Sequence, residues 1–296
     1  MLGDARDPPH RERLEAFRAL AADLAPRDLQ DLMSYPFFSL TKAKRTRPID
    51  YHAGDITIRV EATAEHGIAT IWDADVLIWA ASQIIEARDA GIATSRLLVA
   101  TPYEILNFIG RGTSGRAYAR LKAAFDRLQS TTIATSIRQP LSRRLHRFSW
   151  INEWKERATD DGRPLGFELV LPDWFYATVI DSHLILTIDR AYFGLTGGIE
   201  RWLYRLARKH AGKQAHGWRF DFRHLYVRSG SLARYSDFAI DLRRIARTGV
   251  IPGYQMTIER TRRGDEVLHV RAAPTQRIDG TVAELAARFR MGTTCE

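Results

Sequence analysis

The segment Gly110-Arg-Gly-Thr-Ser-Gly115 has the glycine spacing of a dinucleotide-binding loop, and it is the first motif whose residue types could do chemistry. Such a loop follows a β-strand, lets the backbone approach a pyrophosphate, and needs an acidic residue about 20 positions later to bind the ribose. Here a helical pattern precedes the glycines, and no acidic residue stands at that distance. We therefore predict that these glycines form a tight turn between two helices.

A tyrosine nucleophile is the next chemistry that the sequence suggests. His216 and Arg219, with Tyr254 downstream, faintly match the residues with which a tyrosine recombinase breaks and rejoins DNA strands. The match is short, and Trp218 and Phe220 beside these residues have the character of core side chains. A DNA strand-transfer enzyme that uses Tyr254 is therefore kept as an alternative, which a trapped covalent protein–DNA adduct would reveal.

Metal and nucleotide chemistry has little support in the sequence. The nine histidines include neither a His-x-His pair nor a His-Glu-x-x-His motif, and no P-loop lysine motif is present. Cys295 is the only cysteine, which excludes an intramolecular disulfide and a cysteine-based zinc site within one chain. The acidic pairs Asp73/Asp75 and Asp160/Asp161 are better explained by a helix start and by a turn. We expect a protein without metal, cofactor or enzymatic activity.

Arginine is the residue type whose chemistry the sequence favours. Only six of the 44 basic residues are lysines, and the formal net charge is +9. The planar guanidinium donates paired hydrogen bonds to phosphate oxygens and to guanine, and a positive chain attracts a polyanion. Because a GC-rich genome raises the arginine content everywhere, only the places where arginines cluster carry weight.

The arginines cluster in two stretches that have the same order of elements. Thr101–Ile137 and Trp218–Ile258 each contain a helix, a glycine-containing turn, a basic helix and a strand. When the basic helices are aligned from Ser114 and Ser231, their apolar positions coincide. The coinciding pairs are Tyr118 with Tyr235, Leu121 with Phe238, Phe125 with Leu242, and Leu128 with Ile245. This shared frame predicts an α+β fold with two tandem winged-helix domains, each a helix-turn-helix followed by a β-wing.

The helix boundaries follow from local signals. Thr101-Pro-Tyr-Glu104 is a capping box with proline at the first helical position, and Ser114 caps the next helix, Gly115–Gln129. Further helices are predicted at Asp73–Ala90, Gly198–His210, Phe220–Val227 and Tyr235–Arg247. The first wing is predicted from the strands Thr131–Ile137 and Phe148–Ile151, and the second from Val250–Ile258 and Glu266–Arg271.

Four segments organise the chain in this prediction. Residues 1–30 form a flexible N-terminal segment in which Arg11–Leu24 could be a loosely attached helix. Winged-helix domain 1 spans residues 31–163 and domain 2 spans residues 164–273, followed by a tail at 274–296. The boundary is placed at Asp160–Pro164 because its Asp-Asp-Gly-Arg-Pro sequence is the strongest turn signal in the chain.

The predicted DNA contacts lie on the two basic helices, on the turns before them and on the two wings. One-signed charge on a recognition helix and its wing is typical of phosphate and base contact. The predicted contact residues are Arg111, Ser114, Arg116, Arg120, Arg127, Arg138, Arg143, Arg144, Arg234, Arg243, Arg244, Arg247, Arg260, Arg262 and Arg263.

Several longer segments resemble the replication initiator protein A family of bacterial plasmids over about residues 28–271. They are Asp31-Leu-Met-Ser-Tyr-Pro-Phe-Phe-Ser39, Ile71-Trp-Asp-Ala-Asp75, Gly110-Arg-Gly-Thr113, Leu128-Gln-Ser-Thr-Thr132, Phe148-Ser-Trp-Ile-Asn-Glu-Trp154, Leu171-Pro-Asp-Trp-Phe175 and Leu195-Thr-Gly-Gly-Ile-Glu-Arg-Trp-Leu-Tyr-Arg-Leu-Ala-Arg-Lys-His210. The resemblance implies a tandem winged-helix protein that binds repeats (iterons) at a plasmid origin, helps to open the duplex, and recruits the host initiator and replicative helicase. It also implies a homodimer that represses its own promoter and a monomer that initiates.

Two expectations complete the sequence analysis. No apolar run approaches the roughly 18 residues that span a membrane, and Met1–Arg13 is charged, so a cytoplasmic protein is expected. The alternative within DNA binding is a transcriptional regulator with tandem DNA-binding domains, which would bind one palindrome at a promoter instead of arrayed repeats.

Overall fold

The computed structural model describes residues 14–21, 23–139, 145–212 and 214–273. Eight α-helices lie in these ranges: α1 Gln30–Ser34, α2 Ala74–Asp89, α3 Pro102–Phe108, α4 Gly115–Ser130, α5 Asp173–Ile180, α6 Gly198–His210, α7 Phe222–Ser229 and α8 Tyr235–Thr248. The strands in the same ranges are β1 Ala16–Arg18, β2 Arg27–Leu29, β3 Ile49–Ala53, β4 Ile56–Ala62, β5 Leu97–Ala100, β6 Thr131–Thr135, β7 His146–Ser149, β8 Glu153–Ala158, β9 Pro164–Val170, β10 Ile185–Thr187, β11 Trp218–Asp221, β12 Tyr254–Arg260 and β13 Glu266–Ala272. The mixed composition confirms the predicted α+β class.

One order of elements occurs twice. In the first half, α2, β5, α3 and α4 are followed by the hairpin β8–β9, and β9 lies between β5 and β8 in the sheet. In the second half, α6, β11, α7 and α8 are followed by the hairpin β12–β13, and β13 lies between β11 and β12. We call these two sets the first and the second unit. Each places a short helix, a turn and a longer helix against a three-strand array.

The local signals that begin these helices are present in the structure. The Thr101 hydroxyl accepts a hydrogen bond from the Glu104 backbone N–H, and the Glu104 carboxylate accepts one from the Thr101 N–H, which completes the predicted capping box. The Ser114 hydroxyl accepts from the Ala117 N–H at the start of α4. Ser231, aligned with Ser114 from the sequence, lies in the turn before α8, so α8 begins later in the shared frame than α4 does.

The hairpin predicted as the first wing forms, but it belongs to another sheet. β6 and β7 pair as expected, and β6 then pairs with β4, giving the antiparallel order β3-β4-β6-β7. In the chain, β6 and β7 lie between α4 and the hairpin of its own unit, whereas β3 and β4 precede α2. The prediction of the first wing is therefore wrong, because β9, not β7, forms hydrogen bonds with β5.

The predicted domain boundary falls inside a hairpin. Strands β8 and β9 pair from Glu153 with Val170 to Ala158 with Pro164, and the turn that was predicted as a linker is the tip between them. A boundary between residues 163 and 164 is wrong for this reason, since it would separate two strands of one ladder.

The segment before residue 31 is packed onto the fold instead of being flexible over its described part. β1 pairs in parallel with β5, β2 pairs with β10, and Phe17 and Leu24 are buried. The helix predicted at Arg11–Leu24 is wrong where it can be compared, because residues 16–18 are a strand. Residues 1–13 and the predicted tail 274–296 lie outside the described residues.

Helix α6 joins the two halves through buried charge. The Arg201 guanidinium donates to the Asp75 carboxylate of α2 at 2.7 Å, and Arg205, one turn later, donates twice to Asp28 of β2 at 2.7 and 2.8 Å. All four side chains are at most 2% exposed. Their partners lie 126 and 177 positions away in the sequence, so these ion pairs fasten the start of the second half to the first.

Candidate nucleic-acid interface

Helix α8 of the second unit has one side in the core and the opposite side in solvent. Its inward side is the predicted apolar stripe, with Phe238, Leu242 and Ile245 fully buried. The opposite side exposes polar and basic side chains together with Ile240, which is 59% exposed. Gly249, with a φ of +61°, ends the helix in the left-handed conformation that favours glycine. The result is an amphipathic helix with a buried apolar side and a solvent-exposed side of polar and basic residues.

Basic residues converge where α7, α8 and the β12–β13 hairpin meet. Arg223 in the first turn of α7 lies 5.0 Å from the Tyr235 ring centroid, and both residues line one shallow cleft with Arg260 of the hairpin. Arg234 directly precedes Tyr235, and the hairpin tip adds further arginines. We name this set the second basic surface: Arg223, Arg234, Arg260, Arg262 and Arg263. Over the described residues none of the five has an acidic partner within ion-pair distance.

Three acidic residues line the cleft with Arg223 and Arg260, and two of them, Asp221 and Glu266, are already engaged; the third is Asp265. The Asp221 carboxylate accepts the His224 backbone N–H at 2.9 Å and so caps α7. Glu266 binds Arg243 at 2.6 Å, and this hydrogen bond lowers the pKa of the Glu266 carboxyl. The surface consequently keeps an excess of positive charge.

Arg243 and Arg244 are exposed but already have partners. Arg243 donates to both oxygens of Glu266, and Arg244 lies 3.3 Å from Glu200 of α6 and 3.4 Å from Asp241. Both could reach a phosphate only by leaving these carboxylates. Arg247, in the last turn of α8, is exposed and has no such partner in the described chain.

In the first unit, the structure divides the predicted arginines of α4 into two groups. Arg116 and Arg120 are exposed on its outward side and have no acidic partner among the described residues. Arg127 instead forms a paired contact with the buried Asp73 at 2.7 and 2.8 Å. Hydrogen bonding to Asp73 raises the pKa of this guanidinium, although partial burial opposes the shift.

Two further predicted contacts also bind inside the protein. Arg111 donates to the buried Asp75 and to the Trp72 carbonyl. Arg138 lies 3.9 Å from the Trp174 ring centroid and 3.0 Å from Asp31, and desolvation lowers its pKa. Like Arg127, these guanidinium groups stabilise the fold, and their positive charges are already paired with carboxylates of the protein. Arg143 and Arg144 lie outside the described residues.

The hairpin of the first unit differs in charge from that of the second. Its tip carries Asp160 and Asp161, and Arg163 binds Asp161 at 2.9 Å. Its strands contain further pairs, Arg157 with Glu168 and Lys122 of α4 with Glu156. The two hairpins occupy equivalent places in their units, yet only that of the second unit presents arginines without acidic partners in the described chain.

Sequence reasoning missed Arg223 and the hairpin β8–β9. The signal for Arg223 was present, because Asp221 is an N-cap residue two positions before it and places it in the first turn of α7. A helix predicted from Phe220 obscured that start. The first two residues of that predicted helix, Phe220 and Asp221, are in fact the end of strand β11, and α7 begins at Phe222.

The residues considered for strand transfer are each engaged elsewhere. Tyr254 is partly buried against Tyr204, with ring centroids 6.0 Å apart, and desolvation raises the pKa of its phenol. Arg219 binds Glu259 at 2.9 Å, and His216 offers its carbonyl to His269. Among residues 14–273, apart from the gaps stated above, no group of three or more His, Cys, Asp or Glu side chains could hold a metal ion, and no helix is long and apolar enough to cross a membrane.

Comparison with known proteins places these features in a family. The family model described as replication initiator protein A matches residues 27–256. A protein of Wigglesworthia glossinidia brevipalpis, which carries the provisional description of a replication protein, is 32% identical over 228 residues, covering 76% of this chain and 82% of its own length.

Solved structures of domains 2 and 3 of RctB share the fold. A crystal structure of their selenomethionine derivatives has a TM-score of 0.60 at 14% identity and covers 82% of this chain and 98% of that chain. A second structure of the same domains has a TM-score of 0.53 at 14% identity, with coverage of 80% and 95%. At this identity the likeness concerns the fold alone.

Proposed function

Because the chain belongs to the replication initiator protein A family, we propose that it starts plasmid replication by binding repeated double-stranded sequences, or iterons, at the plasmid origin. The two units are winged-helix domains in this proposal. Helices α4 and α8 enter adjacent major grooves, and the β12–β13 hairpin is a wing that reaches the flanking phosphates.

The second basic surface is the observation that carries this proposal. Five arginines without an acidic partner in the described chain lie on α7, directly before α8 and on the β12–β13 hairpin, and two of them, Arg223 and Arg260, share a cleft with Tyr235 at the start of α8. A recognition helix and its wing approach DNA with such a surface. Desolvating a guanidinium is favourable only when a charged or hydrogen-bonding partner replaces water, and phosphate supplies both. In the first unit Arg116 and Arg120 of α4 act in the same way, with a smaller share of the contacts.

Origin opening would follow from binding alone, without bond-making chemistry. Several copies on several repeats bend and strain the neighbouring duplex, and the added contacts offset the cost of unstacking an AT-rich segment. The host initiator and the replicative helicase are the partners that this function needs, and a homodimer that represses its own promoter would limit it. Such a protein acts in the cytoplasm, at the plasmid.

Nuclease footprinting with purified protein tests the proposal. The expected pattern is a set of regularly spaced protected segments over direct repeats beside AT-rich DNA. Protection of a single promoter palindrome would instead indicate a transcriptional regulator. Cleavage of supercoiled origin DNA, or a covalent adduct that disappears in Tyr254→Phe, would overturn the non-enzymatic assignment.

A further inference from the structure

A cleft of about 710 Å³ lies beside α4, between the segments 42–44 and 66–73 and the loop before α6. Its mouth carries Lys42, Lys44 and Arg120, and its interior includes the Trp72 ring and the apolar side chains of Ile68 and Leu195. None of these residues belongs to the second basic surface.

The charge of the cleft is positive because its acids are neutralised and its rim cations are not. Asp73 is bound by Arg127, and Asp75, behind the wall, is bound by Arg111 and Arg201. Lys42 and Arg120 have no acidic partner among the described residues, and Lys44 donates only to the Glu65 carbonyl, at 3.2 Å. The Lys42 ammonium lies over the Trp72 ring, 5.0 Å from its centroid, and the Arg201 guanidinium lies 5.9 Å from the same centroid, so cations adjoin the aromatic ring.

This combination fits a nucleotide whose bases are not paired. A cationic rim attracts phosphate, while the Trp72 ring and the apolar side chains next to it give a base a surface on which to stack. The volume lies within the roughly 300–1,000 Å³ range of sites for small organic ligands. A duplex is wider than its major groove, which alone measures about 12 Å, so it is too large to enter this cleft. A surface that only contacts duplex phosphates would also not need apolar side chains inside it.

We propose that this cleft binds unpaired nucleotides of a DNA strand, holding the phosphates at Lys42 and Lys44 and a base against Trp72. The proposal rests on the replication function for the source of the strand, which is the duplex opened beside the bound repeats. Arg120 lies both on the outward side of α4 and at the rim of the cleft, so duplex and opened strand would contact neighbouring sides of one helix.

The test measures fluorescence anisotropy of a labelled oligothymidylate of about 12 nucleotides with the full chain. The double variant Lys42→Glu/Lys44→Glu, on an exposed loop, is expected to weaken oligonucleotide binding by about tenfold or more and to leave duplex-repeat binding within about twofold. Trp72→Leu should weaken oligonucleotide binding by about tenfold, because leucine gives a base no aromatic face on which to stack. The matched control Arg262→Ala/Arg263→Ala should show the opposite selectivity.

The outcomes separate this proposal from the proposed function. The cleft assignment would be overturned if Lys42→Glu/Lys44→Glu bound the oligonucleotide as tightly as the wild type. It would also be overturned if this variant lost oligonucleotide and duplex binding together. Displacement of the oligonucleotide by micromolar ATP would show that a free nucleotide is the occupant, and would overturn it also. Failure of the proposed function would appear separately, as the absence of specific binding to duplex repeats by the wild-type chain.

Discussion

Whether an arginine of this protein can bind DNA depends on what its guanidinium already contacts. Arg120 and Arg127 stand on the same helix, yet only Arg127 is held by a buried carboxylate, that of Asp73. Removing a charge that a phosphate would neutralise weakens binding, whereas removing one that a buried acid requires leaves that acid uncompensated. Substituting the first kind of arginine should therefore weaken DNA binding, and substituting the second kind should lower the stability of the fold.

Arg120→Ala and Arg127→Ala make this a matched prediction on α4. Arg120→Ala should weaken DNA binding by about 1–3 kcal/mol while leaving the urea midpoint of unfolding nearly unchanged. Arg127→Ala should lower the free energy of unfolding by a few kcal/mol, because the buried Asp73 carboxylate then keeps its hydrogen bonds from Thr70 but has no cationic partner. Equilibrium binding and urea titration of both variants provide the check. The division of the two arginines would be contradicted if both variants, measured where each is fully folded, lost the same amount of DNA affinity.

His210 gives the fold a dependence on acidic pH. Its ring lies 5.3 Å from Trp218 and 5.5 Å from Phe220 between centroids, and its Nε2 has no hydrogen-bond partner among the residues that the structure describes. Desolvation, helped by Arg228 and Lys209, lowers the pKa of His210 to about 4. The ordinary value is about 6.5, so the unfolded chain takes up a proton that the folded chain refuses.

The sign of the effect follows from that difference. This contribution to stability is complete above about pH 6.5 and disappears as the pH falls toward 4, with a slope of at most about 1.4 kcal/mol per pH unit. His210→Phe, which keeps a ring in the pocket, should flatten the fall, and His52→Gln on the exposed side of β3 should not. The measurement is the free energy of urea unfolding at several pH values. Parallel curves for His210→Phe and wild type would remove His210 as the cause.

At the scale of elements, the two hairpins are equivalent in topology and opposite in charge. Arg262→Ala/Arg263→Ala should reduce the magnitude of the slope of log affinity against log salt by up to about 2, since each phosphate that the variant no longer neutralises lowers it by about 0.9. Arg163→Ala, at the tip of the first hairpin, removes a charge that Asp161 already neutralises and should leave the slope unchanged. Titrations between low and physiological salt measure both. A larger reduction from Arg163→Ala would place DNA at the first hairpin instead.

The same elements show what the sequence could and could not predict. α4, α6 and α8 were predicted closely, because capping residues, glycines and an apolar stripe at helical spacing are local signals. The first wing was misplaced because strand pairing is not local: Thr131–Thr135 is a good strand, but nothing in it says whether β4 or β5 will be its neighbour. β8 is largely exposed and charged, so its composition resembled a linker.

The division of the arginines was also beyond sequence reasoning. Arg116, Arg120 and Arg127 follow one helical pattern, and only the position of Asp73 on another element distinguishes the third. The outward side of α8 and the tip of β12–β13 were accessible to prediction, because the helix stripe and the turn sequence together place these arginines in solvent.

At the scale of the whole molecule, α6 decides how the two units are held. Gly198 at its start packs so closely on the Leu40 carbonyl that an added methyl group would overlap it. Arg201 and Arg205 then place two charges in the interior of the first half. Rigid spacing of α4 and α8 suits the recognition of a long site, since little freedom is then lost on binding.

The Arg205–Asp28 pair can be removed in two ways with different expected costs. Arg205→Met alone leaves a buried carboxylate without a partner and should lower the free energy of unfolding by about 3–5 kcal/mol. Arg205→Met with Asp28→Leu removes both charges and should recover most of that stability. Urea denaturation of the single and double variants measures the difference. A double variant no more stable than the single one would show that packing, and not the unpaired charge, dominates the site.

Cleavage at the tip of the β8–β9 hairpin tests the union of the two halves. A protease site introduced at residues 160–163 lies in an exposed turn, so cutting there should proceed from the native state. The two pieces should nevertheless stay together in gel filtration, because the β8–β9 ladder and the buried pairs of Arg201 and Arg205 cross the cut. Residues 1–163 produced alone should fail to melt cooperatively, since β5 would lack β9, Asp28 would lack Arg205, and Asp75 would keep only Arg111. Separation of the cut pieces into two independently folded proteins would show that the halves are autonomous domains joined by a turn.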